Sequence, residues 1–111
     1  MDNQELKIAF DEINKKIDEA KSAGRDTKSL MQEKARLLRI GYDKISELTK
    51  GREYAQNPRK YAQELSFLNN IKKVLNEISE PTQEIEKLIN DTYAKMKENG
   101  LGWILDNLPE K

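Results

Sequence analysis

Apolar residues recur at intervals of four and three along two stretches of this chain, a spacing that allows little besides helices. Leu6, Phe10, Ile13, Ile17 and Ala20 form the first series; Met31, Ala35, Leu38, Tyr42 and Ile45 form the second. A helix turns once in about 3.6 residues, so each series lies along one side of a helix, whereas a strand demands strict alternation. Asp2 with Glu5 three positions later has the pattern of a capping box, and Gly24 suits a left-handed stop. The first helix is therefore expected over 2–23. Asp26 is a favoured N-cap for a second helix over 26–50, before Gly51. A connection this short folds the two back as an antiparallel hairpin. Leu30, Leu37 and Leu48 make a second stripe on the second helix, which implies a further neighbour.

The stretch EYAQNPRKYAQEL carries Tyr-Ala-Gln twice, at 54–56 and 61–63. Three residues repeated once do not make a structural repeat. Asn57 is a good N-cap, and Pro58 fits the first helical position, where its missing N–H costs nothing. The stretch therefore reads as a joint between helices, with a third helix over 58–79. That helix carries Leu65, Leu68 and Leu75 in one stripe and Phe67, Ile71, Val74 and Ile78 in another, which predicts a central place. Pro81 with Glu84 and Glu86 opens a fourth helix over 82–99, whose apolar residues are Ile85, Leu88, Ile89, Tyr93 and Met96. Asn99-Gly100 ends it, and a short apolar segment over 101–108 follows. The expected fold is all-α: one domain over 1–111, an antiparallel hairpin plus two further helices, bundle-like, with a C-terminal helical plug.

The 111 residues contain no His and no Cys. This removes thiol nucleophiles, imidazole bases, Cys/His zinc sites and disulfides. Twenty basic residues balance twenty acidic ones, so no net field draws the chain to nucleic acid or to an anionic membrane. No apolar run approaches the ~20 residues of a membrane span. The expectation is a non-enzymatic, cofactor-free cytoplasmic protein, or one of the host cytoplasm if its source is a virus. The Lys-, Asn-, Ile- and Glu-rich composition fits an AT-rich bacterial or phage source.

Four features are candidates for function. Lys50, Arg52, Tyr54, Arg59, Lys60 and Tyr61 combine cations and rings around the joint, as a single-strand binder would. Glu53 and Glu64 dilute that patch, and a second basic cluster, Lys34, Arg36 and Arg39, could extend it. The carboxylates Glu77, Glu80, Glu84 and Glu86 could hold Mg²⁺, but Pro81 breaks the helix between the pairs. Leu101, Trp103, Ile104, Leu105 and Leu108 could dock into a partner's groove, although folding back to close the bundle is the favoured reading. The stripe through Phe10 could zip to a copy of itself or to another protein's helix. A core drawn from 36% hydrophobic residues is thin, which favours self-association. The preferred reading is a steric protein-binding module, an adaptor, inhibitor or assembly subunit. The alternative is a nucleic-acid accessory protein using the joint.

Overall fold

The computed structural model describes residues 2–105. Four long helices run antiparallel in sequence order: α1 (Asn3–Ser22), α2 (Lys28–Thr49), α3 (Pro58–Glu77) and α4 (Gln83–Glu98). A single turn, α5 (Gly102–Leu105), follows. The most extensive packing joins α2 to α3; α1 flanks α2 on one side and α4 flanks α3 on the other. The result is an elongated all-α bundle, 49 × 28 × 22 Å.

The stripes read from sequence make the core. Leu6, Ile13, Ile17 and Ala20 of α1 are buried, as are Met31, Leu37, Leu38 and Tyr42 of α2. Phe10 packs against this core but is only partly buried. Most of the α1 stripe is thus used within the chain, with Phe10 left half-open. Leu48 departs from expectation: near the C-terminal end of α2, it is 41% exposed. Leu68 of α3 is fully buried, as befits the expected central helix.

The termini explain the helix boundaries. The Asp2 side chain accepts from Glu5 N–H at 2.8 Å and caps α1 as the sequence implies. That bond holds the Asp2 carboxyl below the usual aspartate range. At α2, Thr27 occupies the N-cap position without a side-chain bond. Asp26, the expected cap, acts from one residue further out, accepting from Lys28 N–H at 3.0 Å. Asn57 caps α3 through Arg59 N–H at 3.0 Å, with Pro58 at the first helical position.

Three helices end in the same double hydrogen bond. At α1, Gly24 N–H donates to Lys21 and Arg25 N–H to Ala20; at α4, Gly100 N–H donates to Lys97 and Leu101 N–H to Met96. Each is a Schellman motif, which needs a left-handed residue at its turn. Gly24 (φ 68°) and Gly100 (φ 78°) supply it without a Cβ penalty. At α3 the same bonds run from Ser79 to Asn76 and from Glu80 to Leu75, but the left-handed residue is Ser79, at φ 57°. Ser79 is exposed, so its side chain offers little compensation. Ser79→Gly is therefore expected to raise stability by about 0.5–1 kcal/mol, a rise in melting temperature readable by circular dichroism. An unchanged or lower melting temperature would mean that the serine is favoured for another reason.

Candidate functional site

The joint between α2 and α3 is built around Tyr61. Its ring is fully buried, and its hydroxyl donates to the Ala55 carbonyl at 2.6 Å, pinning the connection to the first turn of α3. Burial, with a contribution from the Glu64 carboxylate, pushes its phenol above the usual tyrosine range. Tyr61 was expected as a candidate base-stacking ring; with no exposed face it is instead an anchor of the core. Tyr54 remains partly buried, with Lys60 Nζ 5.3 Å from its ring centre. Arg52 and Arg59 are exposed, and Lys50 reaches Glu47 at 3.5 Å.

Glu64 also departs from the sequence reading. It does not dilute a surface patch: it is fully buried one turn beyond Tyr61. Its Oε1 accepts from Lys95 Nζ of α4 at 3.1 Å. The Thr49 hydroxyl of α2 lies 3.1 Å from the same oxygen and 3.0 Å from the Ser46 carbonyl, and its single proton serves one of them. Lys95 also donates to the Thr49 oxygen at 2.9 Å, and its ammonium stands 5.4 Å from the Tyr61 ring centre. Asn99 extends the network, donating to the Lys95 carbonyl at 2.8 Å and lying 3.4 Å from the Tyr61 hydroxyl. Glu64 Oε2 is buried without a hydrogen-bond partner. The signal for this was present in the sequence. Glu64 falls between Tyr61, Leu65 and Leu68, inside the apolar stripe, where a carboxylate needs a partner from another helix.

Away from the joint, among the described residues, the candidates Lys34 and Glu77 stand outside the ion pairs, and the other charged candidates are divided among separate ones. Arg36 binds Glu33 through two nitrogens, and Arg39 bridges Asp43 at 3.3 Å and Glu84 at 3.0 Å. Glu80 faces Lys28 at 3.7 Å, and Glu86 faces Lys72 at 3.2 Å. These acids are thus distributed over different cations. Among the described residues no group of three or more acidic side chains is placed to hold a metal ion. No described helix is long and apolar enough to cross a membrane.

The tail divides. Leu101 is buried at the end of α4, where its N–H closes the Schellman turn onto Met96. Trp103 is 62% exposed. Ile104 and Leu105 complete the turn of α5, and Leu108 lies outside the described residues. Of the tail residues whose side chains are described, Leu101 packs on the core and Trp103 faces outward.

One surface feature was not legible in the sequence, a groove between α1 and α3 with α2 as its floor. Its first part, about 440 Å³, is lined by Leu6, Lys7 and Phe10 of α1, Ile45 of α2, and Ser66 and Phe67 of α3, among others. Its second part, about 420 Å³, continues past Phe10 along Ile17, Met31, Leu38 and Val74, under a polar rim. Met31, Leu38 and Ile45 recur every seven residues, so the floor is one heptad line of α2. Phe10, Ile45 and Phe67 are only partly buried and leave apolar surface open at the first part. The groove exists because α1 and α3 both pack on α2 and meet each other little. No protein-family model matches the sequence, and no curated protein or solved structure shows significant similarity to it.

Proposed function

We propose that this protein is a non-enzymatic binding module that engages another protein through the α1–α3 groove and acts by steric occupation or bridging. The observation that carries this reading is the partly open apolar lining at Phe10, Ile45 and Phe67, set along a preformed helical trough. A trough between two helices with a third as floor has the shape that receives an amphipathic segment. Cytoplasmic action is part of the same proposal. The nucleic-acid reading has less support: Tyr61 is buried, and Arg36 and Arg39 are engaged by carboxylates. It rests on Lys50, Arg52, Tyr54, Arg59 and Lys60 alone.

The test is photo-cross-linking in a lysate of the source cells. A benzophenone side chain is placed at Ser66, an exposed residue lining the groove, and in a second sample at Lys15, on the outer face of α1. A discrete adduct from position 66 that is absent from position 15 is expected. Equal labelling from both positions, or none from position 66, would overturn the reading. Adducts to oligonucleotide instead of protein would favour the nucleic-acid alternative.

A further inference from the structure

We propose that the occupant of the groove is an amphipathic helix of another protein with acidic flanks; this rests on the reading of the groove as a protein-binding site. Length comes first. On α1 the lining runs from Asn3 to Lys21, which at about 1.5 Å per residue is roughly 27 Å, or five turns. A helix of that length laid over the heptad floor presents an apolar residue at every third or fourth position, in register with Phe10, Ile45 and Phe67.

Charge comes second. The groove residues include Lys7 and Lys21 of α1, Lys34 of α2 and Lys73 of α3, against two acids, Asp18 and Glu77. The chain as a whole is neutral, so this excess of cations is local. Among the described residues none of these four lysines has an ion-pair partner, whereas Lys28, Arg36, Arg39, Lys72 and Lys95 each meet a carboxylate. Unpaired cations around an apolar trough select a partner with carboxylates at its edges and repel one with lysines.

A second copy of this chain fits poorly. Its exposed large apolar residues among those described are Ile8, Leu48 and Trp103, one each on α1, α2 and α5. No long helix therefore offers a continuous apolar stripe for a twin's groove.

The experiment uses the full chain and two fluorescein-labelled peptides of about 20 residues, matched to the groove length. Both carry Leu at heptad a and d positions; one has Glu and the other Lys at the flanking positions. Fluorescence anisotropy at low salt is expected to show the Glu peptide binding at least about tenfold more tightly, a gap that narrows as salt screens the rim. Lys21→Glu with Lys73→Glu should narrow or invert the preference. Ser66→Trp, which fills the trough from an exposed position, should weaken the Glu peptide about tenfold or more, with circular dichroism confirming an intact fold. Equal binding of both peptides, preference for Lys, or indifference to Ser66→Trp would each overturn the proposal. So would a concentration-dependent dimer of the chain alone that Ser66→Trp abolishes, since a second copy would then be the occupant. Failure of both peptides while the position-66 adduct persists rejects the acidic helix but leaves the groove as a protein site. Loss of both signals rejects the two readings together.

Discussion

Lys95→Met is expected to destabilise the protein by about 3–5 kcal/mol, the cost of stripping the partner from a buried charge. Glu64 has no exposed surface, and Lys95 retains 26% of its side chain in contact with solvent. That asymmetry decides the outcome of each single substitution. Without Lys95, Glu64 keeps one hydroxyl neighbour for its first oxygen and none for its second, and it cannot reach water. Without Glu64, the Lys95 ammonium can swing outward along its flexible stem, so Glu64→Met should cost clearly less. Adding Glu64→Gln to Lys95→Met removes the stranded charge and should recover part of the loss. Glu64→Met with Lys95→Met should lie within about 1–2 kcal/mol of the parent, since an apolar pair of similar volume replaces the ion pair. Urea unfolding of the five proteins checks the series. Equal losses for the two single Met substitutions would show that solvent access at Lys95 does not relieve its charge.

The fold is legible in the sequence where a single helix carries its own signal. The Gly24 and Gly100 stops, the Asn57-Pro58 start and the α1 stripe need no tertiary information, because each states a local geometry. It is not legible where the decisive partner lies on another helix. The stripe around Glu64 signals burial but not the partner: Lys95 is 31 positions away, and nothing in the local window announces that meeting. Tyr61 follows the cations Arg59 and Lys60 in sequence, which suggests an open ring, although its place in the Tyr61, Leu65, Leu68 stripe points inward. The α1 stripe fits both a seam for a partner and a face for the core, and periodicity cannot separate the two. The groove was invisible for a related reason. It is made by the distance between α1 and α3, which no residue pattern encodes.

Gly41 likewise has no local signal, because the ring that requires it belongs to another helix. It lies buried in the interior of α2, where glycine costs about 1 kcal/mol relative to alanine. A Cβ built there would stand 2.5 Å from Cε1 and 2.6 Å from Cζ of Phe67, well inside contact distance. The glycine is therefore a notch that seats the Phe67 ring and lets it pack against α2 beside the groove. Gly41→Ala should push the ring outward, and lost packing of about 2–3 kcal/mol should exceed the gain in helix propensity. The net loss expected is about 1–2 kcal/mol. In a Phe67→Ala background the obstacle is gone, and the same Gly41→Ala change should become stabilising by up to about 1 kcal/mol. A reversal of sign between the two backgrounds, read from urea midpoints at constant m-value, is the signature of the notch. The same sign in both would mean that the ring moves aside at no cost, since Phe67 is only partly buried and its open side faces the groove. In that case Phe67 is a movable wall, and the first part of the groove can widen to admit what binds it.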